Sequence, residues 1–288
     1  MIDDTRQSAD SRTSPSLAVE TLTPLHRSRF NASMFGGLAF VEKAAAFLCG
    51  KGYGTATVAQ EVRLALRMLG EPPHLAIDIG GNAGEYSAEL RRRAPLVEIH
   101  VFEPSQTNVQ KLQRRFEGDP RTVVVPYAIA DRSGSATLFS DVAGSGMASL
   151  TQRRLDHFDI TFDTEEAIQT MRFDDYWTRH LNQRTTDLVK IDIEGHEMDA
   201  LNGMGQAIEA VRVIQFEFGG CNIDTRTFFQ DFWHFFSDRH FSLYRIAPLG
   251  AQRIDRYRES DEYFSTTNYL AVNRRTMPPI DPTDMPPR

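Results

Sequence analysis

The sequence predicts a doubly wound α/β fold, a mostly parallel sheet with helices on both faces. Three observations predict it. From His74 onward, short apolar runs alternate with helical segments, the pattern of a parallel sheet. A glycine-rich loop, Gly80-Gly81-Asn82-Ala83-Gly84, directly follows the first such run and opens a helix. The second run ends in an acid, Glu103, near the roughly 20-residue spacing expected of a nucleotide-binding βαβ unit.

Residues 1–28 are rich in Ser, Thr, Asp and Arg without apolar periodicity and read as a flexible tail. An N-terminal helical segment is expected over 29–72. Its first helix runs from about Leu38 to Cys49 and ends at Gly50, Gly52 and Gly54. Its second runs from Val58 to Leu69, where Val62, Leu66 and Leu69 fall at helical spacing and Gly70 supplies a stop.

The core is expected over 73–275. Strands are predicted at Leu75–Ile79, Glu98–Phe102, Thr122–Val125, Leu188–Ile193 and Val211–Phe218, separated by helices after Glu85, around Val109 to Phe116 and around Met198 to Met204. Residues 132–186 are less regular and read as an insertion over the mouth of the site. Within it, Ala136–Phe139 and Gln169–Phe173 are expected as strands, and Asp174-Asp175 opens a short helix. The aromatic run Phe228 to Phe236 carries apolar residues on most sides of a helix, so most of it should be core. Phe241–Ile246 and Phe264–Val272 suit an antiparallel pair joined by a loop. The proline-rich stretch 276–288 reads as a disordered tail.

Composition narrows the function classes. A net charge of −7 gives no overall field that attracts nucleic acid. No run approaches the roughly 20 apolar residues that span a bilayer, and residues 1–24 lack the apolar stretch of a signal peptide. Of the two cysteines, Cys49 is expected buried in a helix and Cys221 in a turn. They form no disulfide framework or metal motif, which fits a reducing compartment. A cytoplasmic protein is expected.

In such sheets ligands sit beyond the carboxyl ends of the strands, where strand order reverses. Asp78 lies near the end of the first strand, just before glycines whose missing Cβ lets a backbone turn tightly or approach a ligand. Glu103 suits two ribose hydroxyls. These features favour an adenosine cofactor. The dinucleotide pattern needs glycines two and five places after Gly80, where Asn82 and Glu85 stand, so NAD is disfavoured.

The chain resembles the class I methyltransferases, and more closely the FkbM family. Four segments carry the resemblance: Ala76 to Gly84, Val101-Phe102-Glu103-Pro104, Leu188 to Glu197 (LVKIDIEGHE) and Val213 to Glu217. Asn82 departs from the general class I glycine pattern, but the FkbM family commonly has Asn there. The resemblance implies a Rossmann-like, seven-stranded sheet with an antiparallel final strand pair. It implies S-adenosylmethionine as methyl donor and a hydroxyl as the usual acceptor. Gly80, Gly81, Asn82 and Gly84 would then pass under the methionine part, Glu103 would bind the ribose and Asp131 would lie near the adenine.

Methyl transfer to a hydroxyl needs a route for the departing proton. His196, just after the fourth strand, is the candidate base, since its unperturbed pKa is near neutral. Asp192, Glu194 and Glu217 close the fourth and fifth strands. Together they suit a divalent cation, or hydrogen bonds that orient the acceptor or the cofactor's ammonium. Glu194 also suits a helix cap. Lys190 reads as structural. The expected function is O-methylation of a sugar, glycolipid or polyketide-like acceptor. The rivals are an NAD(P)-dependent oxidoreductase or epimerase and a noncatalytic binding module. Acceptor identity and oligomeric state have no code in these residues.

Overall fold

A computed structural model describes residues 29–54 and 57–277, so the expected tail at 1–28 and, apart from Thr276 and Met277, the expected tail at 276–288 lie outside the described residues. The chain divides into two compact units, residues 1–42 and 43–288. Helix α1 (Arg29–Leu48) starts earlier than its apolar run suggested. Helix α2 (Val58–Leu69) ends as expected, with Gly70 in the left-handed region returning its N–H to the last helical turn.

The second unit is built on the alternation read from the sequence. Strand β1 (Leu75–Ile79) leads to α3 (Glu85–Arg93), β2 (Glu98–Phe102), α4 (Gln106–Arg115) and β3 (Thr122–Val125). A second sheet follows, formed by β4 (Ala128–Ile129), β5 (Gly134–Ser140) and β6 (Thr164–Met171). Helix α5 (Phe173–His180) then returns the chain to the main sheet through β7 (Thr186–Ile191) and α6 (Glu197–Gly203). The rest is β8 (Val211–Phe218), α7 (Cys221–Thr225), α8 (Phe229–Asp238), β9 (Phe241–Ala247), β10 (Gly250–Ile254) and β11 (Thr267–Asn273).

The main sheet has the order β10-β9-β11-β8-β7-β1-β2-β3. Its strands β3, β2, β1, β7 and β8 are mutually parallel. Strand β11 inserts between β8 and β9, antiparallel to both. The final pair is therefore antiparallel, as expected, but the sheet has eight strands instead of seven. The added strand β10 pairs with β9 at the edge. It escaped the sequence reading because Ile254 alone is buried on it, while Gln252 and Arg253 face solvent.

Other boundaries shift for similar reasons. Strand β6 begins at Thr164 and stops before Phe173, which is the first residue of α5. Cys49 is exposed in the turn after α1, not buried within a helix, and Cys221 begins the short helix α7 and is buried. Among the described residues, no helix is long and apolar enough to cross a membrane.

Both faces of the parallel strands are covered, so alternate residues enter two separate cores. Ile77, Val189, Ile214 and Phe216 belong to one, with α5, α6 and α8; Ala76, Leu188 and Val213 belong to the other, with α2 and α3. The aromatic helix α8 serves the first core. Phe232 and Phe236 stack on Phe216, with ring centroids 4.9 and 5.1 Å apart. Phe228 precedes the helix and is exposed. A Phe232→Ala substitution should cost about 3–5 kcal/mol. Thermal unfolding should show Tm falling by on the order of 10 °C for a domain of this size.

Candidate active site

Strand order reverses between β1 and β7. The chain leaves β1 toward β2 and β3, then returns to lay β7 and β8 on the other side. A cavity of about 440 Å³ opens there, beyond the carboxyl ends of the strands, as the switch-point rule requires. Its walls come from the loop after β1, the end of β2, the β7–α6 loop, Glu217 on β8 and the stretch Ser145 to Leu150 of the insertion.

The glycine loop is shaped by packing against the protein's own interior. A Cβ on Gly80, at φ +80°, would lie 2.0 Å from the carbonyl oxygen of Asp192, and one on Gly81 would meet Val101 at 2.1 Å. Gly84, at φ +81°, would meet Leu112 at 2.7 Å. No larger residue fits without moving the backbone. Gly80 and Gly81 both donate their N–H groups to the carbonyl of Phe102, which fastens the loop to β2. Asn82 takes a left-handed φ of +46°, a conformation Asn tolerates better than most residues.

Glu103 lines the cavity and is buried. One carboxylate oxygen accepts the Asn82 N–H at 2.8 Å and the other the Ser105 N–H at 3.0 Å. The Asn108 side chain donates to the same carboxylate. Burial holds the Glu103 pKa above the ordinary carboxylate value despite these bonds. Asp78 and Asp131 are placed differently from expectation. Asp78 lies beneath the loop, fully buried, taking a hydrogen bond from Ser87. Asp131 lies outside the cavity wall and pairs with Arg132 at the surface, its own carbonyl bonded by Arg172. Tyr127, Ile129 and Leu138 line the wall instead.

The expected carboxylates do meet at the ends of β7 and β8. Lys190, buried on β7, donates to the carbonyl of Gly80 at 2.9 Å and lies 3.5 Å from Asp78 and 3.4 Å from Asp192. It is structural, as read. Glu194, at φ +55°, is bound by Arg153 at 3.1 Å; burial, then the neighbouring Asp192 charge, pushes its carboxyl up to about 8. Glu217 faces the cavity, and burial followed by the Asp192 and Glu194 charges raises its pKa well above the ordinary value. Glu194 caps no helix. The buried Glu197 instead fastens the loop ahead of α6, its carboxylate accepting the N–H groups of Ile193 and Gly195. Among the described residues, no three acids, histidines or cysteines come together in a way that could hold a metal ion.

His196 lines the same cavity. Its Nδ1 lies 2.7 Å from the Asp199 carboxylate and its Nε2 3.0 Å from the Thr151 hydroxyl. A carboxylate only accepts, so Nδ1 carries the proton and Nε2 accepts from Thr151 in the neutral ring.

Several site residues gave no usable sequence signal. Glu61, on α2, receives hydrogen bonds from Thr57, Gln215 (2.7 Å) and Asn268 (3.1 Å), and Glu61 and Asn268 both line the cavity. Tyr86 donates to Gln215 at 2.9 Å. The insertion supplies Ser149, which donates to the carbonyl of Glu194 at 2.8 Å, together with Thr151 and Arg153. Glu61 alone carried a hint, being an acid on the apolar side of an amphipathic helix.

The sheet order and the strand-end cavity define the class I methyltransferase architecture. A family model described as the methyltransferase FkbM domain matches residues 78–243, and the chain belongs to this family. The oxidoreductase reading is thereby overturned. The chain is similar to the 2-O-methyltransferase NoeI of Sinorhizobium fredii, 25% identical over 166 residues that cover 54% of this chain and 68% of that protein. It is also similar to the hexuronic acid methyltransferase AglP of Haloferax volcanii, 24% identical over 139 residues that cover 48% and 52%. A solved FkbM methyltransferase from Methylobacillus flagellatus aligns with a TM-score of 0.43 at 18% identity, over 68% of this chain and 43% of that one. The matches thus span only about half to two thirds of the curated relatives' length.

The raised carboxyls set a pH dependence. Asp78, Glu61, Glu103, Glu194, Glu197 and Glu217 all bind protons more tightly in the folded chain because burial disfavours their charge. A raised carboxyl contributes stability below its unfolded pKa and loses it as pH rises through the folded one. For Glu194 that window runs from 4.5 to about 8. The cofactor-free protein should lose Tm across this range, and Glu194→Gln should flatten the slope in a pH series of thermal melts. An unchanged slope would show that Glu194 holds no extra proton.

Proposed function

We propose that this chain transfers a methyl group from S-adenosylmethionine to a sugar hydroxyl. Family membership supports the methyl transfer, and the two sugar-directed names among its relatives, a 2-O-methyltransferase and a hexuronic acid methyltransferase, support the acceptor class. The observation that carries the reaction type is His196, held between Asp199 and Thr151 at the cavity wall.

The cavity's chemistry fits the cofactor. Glu103 lines the cavity with its carboxylate held by the Asn82 and Ser105 N–H groups and by Asn108, placed to accept from a ribose hydroxyl. Beyond it, Phe102, Ile129 and Leu138 offer apolar surface for a flat base. At the other end, Asp192 and Glu217 suit positive charge. When bound, S-adenosylmethionine supplies an electrophilic methyl carried on a sulfonium.

The protein's own residues then have separable tasks. The buried loop from Gly80 to Gly84 fixes one end of the site, and placing reactants well can contribute roughly 7–11 kcal/mol of barrier lowering. Asp199 keeps the proton of His196 on Nδ1, so Nε2 is the basic atom. The acceptor hydroxyl takes the place of the Thr151 hydroxyl as donor to Nε2 and passes its proton there as the methyl is captured. Asp199 stabilises the resulting imidazolium. Glu194 and Arg153 hold the insertion against the strand ends, limiting water. A divalent cation has no task in this reading, because Arg153 already engages Glu194.

General-base catalysis contributes about 10²–10⁴-fold. His196→Ala should therefore lower kcat at least about a hundredfold, with S-adenosylmethionine affinity by calorimetry nearly unchanged. Undiminished turnover would remove His196 from the reaction. A chain that binds no S-adenosylmethionine at millimolar concentration would sink the whole reading.

A further inference from the structure

We propose that the acceptor presents an uncharged ring around the reacting hydroxyl, and that the site selects against a carboxylate or phosphate beside it. This inference rests on the reading of the chain as a sugar-hydroxyl methyltransferase and narrows the sugar class.

Six carboxylates line the cavity: Glu61, Glu85, Glu103, Asp192, Glu194 and Glu217. Among the described residues lining it, Lys190 is the one permanent cation. Lys190 is itself committed. It is buried, donates to the carbonyl of Gly80 and is shared between Asp78 and Asp192. Arg153, whose partner Glu194 lines the wall, is committed too. Its Nη1 holds Glu194 at 3.1 Å and its Nε holds Asp224 at 3.0 Å.

Near the reaction centre, two cations therefore face five carboxylates: Asp78, Asp192, Glu194, Asp224 and Glu217. Glu217 has no hydrogen-bond or ion-pair partner among the described residues. The cofactor brings a sulfonium, an ammonium and a carboxylate, a net charge of one, which favours the ionised form of the carboxyls around it. An acceptor carboxylate placed here would meet like charge in a partly buried cleft, where screening by salt is weak. It would find no uncommitted Lys or Arg on the wall to offset that repulsion. Excluding a competitor by an unpartnered like charge is an ordinary route to specificity. Hydroxyls, by contrast, donate to these carboxylates, and His196 with Thr151 offers a neutral pair for the reacting one.

The experiment uses the full chain with three matched methyl glycosides: a neutral hexoside, its hexuronide and its amino-sugar counterpart. Release of S-adenosylhomocysteine gives kcat/KM, and calorimetry on the S-adenosylhomocysteine-loaded protein gives binding without turnover. The neutral hexoside should exceed the hexuronide at least about tenfold, equivalent to about 1.4 kcal/mol. The amino sugar should match or exceed the neutral one. Glu217→Gln, compared with the parent at cofactor concentrations that saturate each protein, should shrink the ratio of neutral to acidic glycoside turnover. Equal or better binding and turnover of the hexuronide would overturn the proposal. If no glycoside binds while the cofactor still does, the sugar-acceptor reading falls instead.

Discussion

The site depends on one buried cation. Lys190 sits on β7, 7% exposed, and donates to the carbonyl of Gly80 at the end of β1. Those two strands flank the point where the sheet reverses, so a single ammonium ties together the two sides of the cleft. It is also shared between Asp78 and Asp192, at 3.5 and 3.4 Å. A buried ion pair of this kind is poor evidence for net stability, because the desolvation of both partners offsets their attraction. Removing one member is another matter, costing about 3–5 kcal/mol when the remaining charge is left unpaired. Lys190 therefore acts as a specifying contact. It requires β1 and β7 to be neighbours in this register, and it sets Gly80 against Asp192 so closely that only glycine fits.

That contact explains why much of the site was legible in the sequence. The segment from Leu188 to Glu197 is short, continuous and lies on one strand and its exit loop, so its chemistry stays in view when read linearly. Glu103 was legible for the same reason: it ends a strand at a spacing set by one βαβ unit, and its partner Asn82 lies in the preceding loop. The parallel strands read well because burial on both faces gives near-continuous apolar runs.

The residues that escaped are those whose role comes from distant contact. Glu61 reaches the cavity only because α2 packs on the sheet, and its partner Asn268 is 207 positions away. Thr151 and Arg153 sit in an insertion with little regular structure, 45 positions from His196 and 41 from Glu194. No periodicity marks such positions, since polar residues in irregular segments usually face solvent. Asp131 shows the reverse case. A position after the third strand suggested a cofactor contact, but Arg132 and Arg172 draw that residue into a surface pairing, and β4 and β5 supply apolar side chains to the wall instead. The glycines, expected to clear space for a cofactor, have a packing reason that the sequence reading did not contain. Their missing Cβ atoms are needed on the side that faces the protein, against Asp192, Val101 and Leu112.

The acidic character of the cleft links these separate findings. An enzyme that binds a sulfonium gains from nearby carboxylates, yet gathering them in a low-dielectric site makes Glu194 and Glu217 hold their protons more tightly. Glu194, pushed up to about 8, is the measure of that tension in the cofactor-free chain. Binding a cation relieves it, because a positive charge among these carboxylates favours their ionised form. Cofactor binding and proton release are then two sides of one equilibrium, and by linkage the affinity for a cationic cofactor rises as pH rises through this range. The same requirement favours imidazole over a carboxylate as base. One more carboxylate in this cluster would share the upward shift of its neighbours, whereas His196 lies at the edge of the group, with its proton fixed by Asp199 and its lone pair turned to the insertion.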